Sequence, residues 1–385
     1  MTFVAIMLFW ICGIGLAYIY VGYPLLMALL GRLWPGRRNR APTSLAVSVV
    51  ISSYNDGTRL TQKLDSLLAM QQSESIVEIL IGSDGSTDDT ESLLATYPDS
   101  RVRVVHFVER RGKPAVLNEL IPRCCGEIVL LTDARQEFDV LFLQECLSNF
   151  ADPRVGVVSG ELILRSSTTD STAAEGIGLY WRYEKFLRRA ESAFRGVPGA
   201  TGACYAVRQS AFRPIPEATI LDDVAIPMTI VAQGYRCVFD PAAKAYDLPS
   251  QSPLQESIRK RRTIAGAAQL ASLYPQWLIP GKHPLWFEFV SHKLLRLVSP
   301  LLLLIVFVTN VWLVRVPPYA VLLALQFSLY TTALCGWWFQ CVGRRSRVFG
   351  PSLMFLALNV TTVRALWDAC RSRYRVTWDK SAPAT

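Results

Sequence analysis

The chain has 385 residues, enough for more than one domain, and 51% of them are hydrophobic, a high fraction for a soluble protein. Its formal net charge is +9, but most of the basic excess flanks apolar segments, so the charge does not indicate a nucleic-acid-binding protein. The nine cysteines include no C-x-x-C pair, which excludes the common zinc and redox motifs and leaves free thiols as the expectation.

The start of the chain predicts a retained membrane anchor. Residues 2–31 contain no charged side chain and are long enough to span a bilayer. A cleaved signal peptide is the alternative, but no basic residue precedes the run, and the run is longer than the apolar core of such peptides. Arginines follow within 32–40, so the positive-inside rule places this end in the cytoplasm. We therefore predict an anchor with a basic flank over residues 1–40.

The pattern over residues 41–272 predicts one α/β domain. Strand-like runs at 45–51, 77–81 and 127–131 alternate with helix-like runs, which is typical of right-handed β-α-β units in a mainly parallel sheet. The helix-like runs are 58–70, 88–96, 114–123, 140–150 and 173–193, and further strands are predicted at 155–161 and 200–207.

Beyond this domain the sequence returns to the membrane. Prolines, tryptophans and a phenylalanine over 273–296 indicate an interfacial segment. Its last residues include His292, Lys293 and Arg296, which put the domain before them in the cytoplasm.

The C-terminal region, residues 297–385, is predicted to contain two to three spans and a basic tail. Apolar runs at 299–314 and 317–343 are two spans. The run at 348–363 is marginal in length, so it either spans the bilayer or lies as a re-entrant or interfacial segment. Spanning would place its flanking arginines on both sides of the membrane, against the positive-inside rule. These flanks are Arg344, Arg345 and Arg347 before it, and Arg371, Arg373 and Arg375 after it.

Three acidic residues follow directly on the predicted parallel strands. Asp56 ends the sequence Tyr54-Asn55-Asp56, Asp84 begins Asp84-Gly85-Ser86, and Asp133 begins Asp133-Ala134-Arg135. Because the carboxyl ends of parallel strands meet at one edge of a sheet, where ligands bind, these carboxylates are expected to converge. Such a cluster suits a metal, a sugar or a nucleotide. The alternative for Asp56 is a helix N-cap.

A fourth acidic motif is Leu221-Asp222-Asp223, before an apolar helix start. Adjacent carboxylates repel each other, so one of them is expected to keep a raised pKa and to act as a base. The alternative is that one of them caps the helix.

Two basic runs suit phosphate groups. Arg110-Arg111-Gly112-Lys113 precedes a helix that carries Asn118, although P-loop spacing is absent and a solvated loop is the alternative. In the run 259–262, Arg259 and Arg262 share a helix face that suits a diphosphate leaving group, with a membrane-surface patch as the alternative.

In order and spacing, these motifs resemble those of family 2 glycosyltransferases, specifically the membrane-anchored synthases of cellulose, hyaluronan and poly-N-acetylglucosamine. The resemblance covers about residues 45–270. It implies a GT-A fold and an inverting transfer from a nucleotide-sugar, expected to be a UDP-sugar, with Mg²⁺ or Mn²⁺ as cofactor. The acceptor is expected to be a growing polysaccharide or glycan at the cytoplasmic face of a bacterial inner membrane, with polysaccharide-export proteins as partners.

The resemblance also implies roles for individual residues. It assigns Asp223 as the catalytic base and Asp133 as the metal ligand. On the acceptor side, a family stretch matches Gly199, Gly202 and Arg208. The donor-side residues are Tyr54, Asp56, Asp84, Lys113, Asn118 and Asp133, and the leaving-group or acceptor side takes Gly202, Asp222, Arg259 and Arg262.

Two departures from the family pattern keep alternatives open. The D-x-D motif has Arg135 as its third residue, so either Asp133 holds the metal with fewer protein ligands or Arg135 replaces part of its charge. The Q-x-x-R-W motif retains only Arg262, and without its tryptophan processive polymerisation is in doubt. The alternatives are a single-sugar transfer to a lipid-linked acceptor, or a non-catalytic nucleotide-binding subunit of a polysaccharide-export complex.

Overall fold

The computed structural model describes residues 2–165, 172–248, 253–344 and 346–371. Eight strands in this part of the chain form one sheet, in the spatial order β3-β2-β1-β4-β7-β6-β8-β5. The strands are β1 Val47–Ser53, β2 Ile76–Asp84, β3 Val102–Phe107, β4 Ile128–Thr132, β5 Glu137–Phe138, β6 Val155–Leu164, β7 Cys204–Arg208 and β8 Arg236–Asp247.

Helices cover both faces of this sheet and continue into the membrane region. The helices of the α/β domain are α2 Gly57–Leu68, α3 Thr90–Ala95, α4 Lys113–Leu120, α5 Phe142–Ser148, α6 Thr172–Phe194, α7 Asp222–Val231 and α8 Pro253–Leu273. The long apolar helices are α1 Thr2–Leu33, α9 Trp286–Trp312, α10 Tyr319–Cys341 and α11 Phe349–Cys370.

The central strands are buried on both faces, which explains their nearly continuous Val, Ile and Leu content. In β1, Val49 and Ile51 join the core on one side of the sheet, whereas Val50 joins the core on the other side. The predicted strands and helices of the α/β domain are confirmed to within a few residues. Two longer strands were not predicted. In β3, Arg103 and His106 are three residues apart and break the two-residue period, and β8 is interrupted by Pro241.

Strand direction decides where the loops collect. β1, β2, β3 and β4 are mutually parallel, β7 is antiparallel to β4 and β6, and β6 is parallel to β8. The carboxyl ends of β1, β2 and β4 therefore lie at one edge. The amino end of β7 arrives at that same edge, which brings in the loop that precedes Cys204.

The first long helix is bonded to the domain that it anchors. Tyr23 donates a hydrogen bond of 2.6 Å to the Glu191 carboxylate on α6, and Arg236 donates to the carbonyl of Gly36 at 2.9 Å. Arg40, in the predicted basic flank, pairs with Asp240 at 3.2 Å. The charges that indicated topology therefore also hold the anchor against the domain.

The segment predicted to be interfacial packs onto the domain. Trp277 and Phe289 are buried in one core cluster of the domain, and Trp277 stacks on Tyr274 with ring centroids 3.9 Å apart. His283 bonds through Nε2 to the carbonyl of Met228 at 2.9 Å. Packing against the domain is therefore enough to explain the aromatic residues of this segment. Its placement at a membrane interface stays a prediction.

Four described helices are long and apolar enough to cross a membrane: α1, α9, α10 and α11. In α11, Met354 lies 3.8 Å from the Lys260 ammonium of α8, and Asp368, near the other end, pairs with Arg261 of α8. A helix that crossed the bilayer would leave the domain within a few turns. These two contacts therefore favour the interfacial alternative for this segment. Of its arginine flanks, Arg345, Arg373 and Arg375 lie outside the described residues.

Candidate functional site

The first two acidic loops are joined at the carboxyl edge of the sheet. The Asn55 side-chain oxygen accepts a hydrogen bond of 2.8 Å from the Thr87 amide, and the Asn55 amide donates to Ser86 Oγ at 3.1 Å. The Asp56 amide donates to Thr90 Oγ1, also at 3.1 Å. Asn55 adopts a left-handed backbone, with φ +51°. The two loops thus form one ledge beyond β1 and β2.

Asp56 stands at the N-cap position of α2, but its carboxylate makes no capping hydrogen bond. Its Oδ1 instead accepts a bond of 3.2 Å from Arg59. The neighbouring Tyr54 ring faces the Arg110 guanidinium at 3.9 Å. The capping alternative is therefore not realised, and an aromatic ring, a guanidinium and a carboxylate lie together as a planar nucleobase would require. Donor binding by Tyr54 and Asp56 stays a prediction.

Asp84 organises the basic loop that follows β3. Its side chain is buried, with Oδ1 accepting from the Arg111 amide at 2.8 Å and Oδ2 from the Gly112 amide at 2.9 Å. Gly85 beside it has φ +69°, and an added Cβ would lie 3.0 Å from the Arg110 amide nitrogen. Both carboxylate oxygens are thus engaged with the backbone of the loop that Asp84 holds, and donor binding by Asp84 stays a prediction.

Lys113 joins two of the acidic motifs. Its ammonium lies 2.8 Å from Asp133 Oδ1 and 3.5 Å from Asp222 Oδ2. Burial alone would lower the pKa of Lys113, but the surrounding carboxylates raise it above its ordinary value. The lysine is therefore a permanent cation between Asp133 and Asp222, where a diphosphate could share its charge.

Asp223 is placed to accept a proton. The Gly202 amide donates to its Oδ2 at 3.2 Å, while its buried Oδ1 has no partner. Burial, and then the charge of Asp222, raise the pKa of Asp223 to about 6, against the opposing charges of Lys113 and Lys293. A carboxyl with a pKa near neutrality and one unengaged oxygen suits a general base.

The two arginines predicted on α8 lie one turn apart and are both half-buried. Arg262 is close enough to the acidic cluster for Asp222 and Asp223 to raise its pKa against the larger lowering by burial. An arginine stays charged under such a shift. Arg262 therefore adds a second cation beside Asp223, whereas the role of Arg259 stays a prediction.

Two side chains of the predicted set are engaged elsewhere. Asn118 uses both ends of its amide on the backbone of Ile215, donating to its carbonyl at 2.7 Å and accepting from its amide at 3.0 Å. Arg135 pairs with Asp247 at 2.7 Å, so its charge is committed away from Asp133. Of the two alternatives for the altered D-x-D motif, the structure favours Asp133 acting with fewer protein ligands. Arg111 is likewise committed, to Glu217 at 2.8 Å.

A divalent cation fits these residues on the condition that a substrate diphosphate supplies part of its ligands. The described residues contain no group of three or more His, Cys, Asp or Glu side chains that would hold a metal by themselves. Mg²⁺ commonly takes only one or two protein carboxylates and completes its shell with substrate phosphates. Asp133, whose side chain is 43% exposed, is the carboxylate that would hold the ion together with a diphosphate.

One residue of this site carried no signal in the sequence. Arg188 of α6 donates to Thr201 Oγ1 at 2.5 Å and to the Gly199 carbonyl at 3.4 Å, in the loop that approaches Asp223. The Ala200 amide of this loop donates to the Asp223 carbonyl at 2.7 Å. Because α6 joins the loop only through tertiary contacts, no local pattern identifies Arg188.

Gly202 leaves no room for a side chain beside the base. An added Cβ would lie 3.0 Å from Asp223 Oδ2 and 3.2 Å from its Cβ. Gly202→Ala is therefore expected to displace the carboxylate and to lower kcat about a hundredfold, with the thermal unfolding midpoint little changed. Gly178→Ala, where an added Cβ meets nothing within 4 Å, is the matched control. Full turnover in Gly202→Ala would contradict the placement.

Part of the chain is similar to known glycosyltransferases. A family model described as glycosyl transferase family 2 matches residues 48–215. The poly-β-1,6-N-acetyl-D-glucosamine synthase of Staphylococcus aureus (strain COL) is 24% identical over 207 residues, which cover 52% of this chain and 50% of that protein. An N-acetylglucosaminyltransferase of Azorhizobium caulinodans is 24% identical over 221 residues, covering 54% and 56%. The chain thus spans about half the length of the curated relatives it matches.

A solved structure extends the likeness beyond the matched domain. A mannosyltransferase from Pyrobaculum calidifontis, in complex with GDP-mannose and Mn²⁺, has a TM-score of 0.70 and 23% identity. The match covers 95% of this chain and 100% of the other, so it includes the long apolar helices as well as the sheet. It confirms the predicted GT-A fold with flanking membrane-type helices. Residues 48–215 thus resemble glycosyl transferase family 2, whose family model they match.

Proposed function

We propose that this protein is an inverting glycosyltransferase that moves a sugar from a nucleoside diphosphate donor, expected to be UDP, to a glycan acceptor. The observation that carries the proposal is Asp223, a carboxyl with a pKa near 6 and one unengaged oxygen, whose neighbour Asp222 lies 3.5 Å from the Lys113 cation. The names of the matched relatives support the reaction class and a polysaccharide product.

The proposed reaction is one in-line displacement. An acceptor hydroxyl gives its proton to Asp223 as its oxygen bonds to the anomeric carbon, and the bond from that carbon to the diphosphate oxygen breaks. The nucleoside diphosphate leaves with the electron pair, and the nearby charges of Lys113 and Arg262 oppose its negative charge. A Mg²⁺ or Mn²⁺ ion held by Asp133 and the diphosphate would add to that neutralisation.

The proposal also includes location. The arginines after α1 and the basic residues at the start of α9 support a catalytic domain at the cytoplasmic face. The proposed setting is a bacterial inner (plasma) membrane, with polysaccharide-export proteins as partners; the Staphylococcus and Azorhizobium relatives support only a bacterial source.

One experiment tests the reaction and separates the alternatives. Membranes containing the full chain are incubated with labelled nucleotide-sugars, with and without Mn²⁺, and the products are sized. A polymer supports a synthase, and a single addition to lipid supports the lipid-linked route. A non-catalytic subunit would neither transfer nor hydrolyse any donor. Activity that is unchanged in Asp133→Ala would contradict the role of that carboxylate.

The pH profile of the wild-type protein is expected to have an acidic limb near pH 6, because only deprotonated Asp223 accepts the proton. Asp222→Asn removes a negative charge that raises the pKa of Asp223, so this limb is expected to move to lower pH. Measurement of kcat against pH checks both statements, and a limb that stays or moves upward in Asp222→Asn contradicts them. The charged groups near Asp223 are Asp222, Lys113, Lys293, Asp133 and Arg262.

A further inference from the structure

Two basic side chains near the proposed base make no ion pair within the described part of the chain. Arg188 donates to neutral acceptors, namely Thr201 Oγ1 at 2.5 Å, Ser159 Oγ at 2.8 Å and the Gly199 carbonyl at 3.4 Å. The Lys293 side chain, in the first part of α9, is half-buried and forms neither a hydrogen bond nor an ion pair with any described residue. Within the described residues, neither side chain has a carboxylate at ion-pair distance.

Both cations are close to the proton acceptor. Arg188 holds the loop whose Gly202 amide donates to Asp223 Oδ2 at 3.2 Å. Lys293, on the apolar helix α9, is near enough for its charge to lower the pKa of Asp223. They lie away from the donor ledge beyond β1 and β2, which is built from other loops.

The acids nearest to Lys293 are already engaged with other partners. Glu184 of α6 pairs with Arg296 and bonds to His292 Nε2 at 3.1 Å. Glu191, about two turns further along the same helix, bonds to His292 Nδ1 at 2.8 Å and accepts a hydrogen bond of 2.6 Å from Tyr23. These contacts join α1, α6 and α9. They engage both oxygens of Glu184 and Oε1 of Glu191, and neither carboxylate forms an ion pair with Lys293. The positive charge of the lysine is therefore left for a group that is not part of the chain.

A half-buried cation without a partner is unfavourable, and a bound anion removes that penalty. Lys293 lies at the beginning of a helix long and apolar enough to cross the membrane, Trp286–Trp312. An anion at this point is therefore at the level of lipid headgroups. Phosphate and diphosphate are the headgroup anions that lysine and arginine bind best.

We propose that Lys293 and Arg188 bind the phosphate or diphosphate of a membrane lipid that carries the acceptor glycan. This inference rests on the proposed function and names its acceptor class. A lipid phosphate held here would direct the attached sugar toward Asp223, which receives the hydroxyl proton as described above. It also gives the acceptor a binding site although the tryptophan of the Q-x-x-R-W motif is replaced by Thr263.

The test is lipid binding by the full chain in phosphatidylcholine nanodiscs, with saturating UDP to occupy the donor site. Three probes are compared: polyprenyl diphosphate in the nanodisc, uncharged polyprenol in the nanodisc, and soluble inorganic diphosphate. We expect binding of polyprenyl diphosphate alone, weakened by about tenfold to a hundredfold in Lys293→Met and restored in Lys293→Arg. Lys282→Met, at an exposed lysine of the preceding loop, is the matched control and is expected to bind normally.

Several results would overturn the proposal. Equal binding of polyprenol and polyprenyl diphosphate by the wild-type protein would show that the charge is not recognised, and this comparison needs no variant. Inorganic diphosphate binding as tightly as the lipid would assign the site to a soluble anion. Loss of UDP binding in Lys293→Met would place the lysine in the donor site. Because no donor sugar is present, lipid binding is read independently of turnover, and absence of any sugar transfer by wild-type protein would count against the proposed function instead.

Discussion

Asp223→Asn is expected to lower kcat by roughly 10²- to 10⁴-fold while leaving donor affinity within about twofold, because a general base contributes a factor of this size. In the wild-type protein the Gly202 amide donates to Asp223 Oδ2 at 3.2 Å. Asparagine has the same shape as aspartate and can still accept this hydrogen bond, but it cannot take up the proton of the acceptor hydroxyl. Loss of the charge beside Asp222 also relieves repulsion, so the variant is expected to fold at least as stably as the wild-type protein.

The measurement is initial rate of sugar transfer alongside calorimetric binding of UDP. Asp65→Asn is the matched control, because Asp65 is exposed on α2 and its Oδ1 only accepts a hydrogen bond of 2.7 Å from Tyr97. If Asp223→Asn turns over at the wild-type rate, the base is another group. If it loses UDP binding as well, Asp223 serves the donor site and not the acceptor.

Lys113→Met is expected to lower kcat/KM by about 10²- to 10³-fold, the usual result of removing one positioned electrostatic group. The ammonium lies 2.8 Å from Asp133 and 3.5 Å from Asp222, so its loss leaves the carboxylates facing each other without that cation. Donor diphosphate would then meet uncompensated negative charge. We therefore expect a weaker UDP affinity together with the lower rate.

This substitution also predicts a pH shift of opposite sign to that of Asp222→Asn. The Lys113 charge lowers the pKa of Asp223, so its removal is expected to move the acidic limb to higher pH. Lys113→Arg keeps the charge and is expected to retain most of the affinity. Lys244→Met, at an exposed lysine of β8, serves as control. A pH limb that moves downward in Lys113→Met would contradict the proposed electrostatics.

The local sequence was sufficient where a strand, a turn and a polar residue follow one another within a few positions. Val, Ile and Leu runs predicted the central strands, and parallel strands bring their following acids to one edge, so Asp56, Asp84 and Asp133 were found without coordinates. The edge strand β3 and the interrupted strand β8 were missed, because their polar residues and Pro241 hide the two-residue period.

The sequence predicted where the site residues lie better than it predicted what their side chains contact. The D-x-D departure left two alternatives, and the ion pair between Arg135 and Asp247, residues more than a hundred positions apart, favours Asp133 acting with fewer protein ligands. Asn118 occupies its expected place on α4, yet its amide bonds Ile215 in both directions. Such partners depend on how distant segments pack, and no local spacing encodes that.

By itself the sequence determined the family resemblance, the sheet edge and the four acidic motifs, since these depend on periodicity and on the order of short segments. The tertiary structure alone decided which carboxylate has a raised pKa, because desolvation and the field of Asp222, Lys113 and Lys293 depend on packing. The tertiary structure also changed the interpretation of Lys293. In the sequence this residue is one of several basic residues before a span, whereas in the fold it is a cation without an acidic partner beside Asp223.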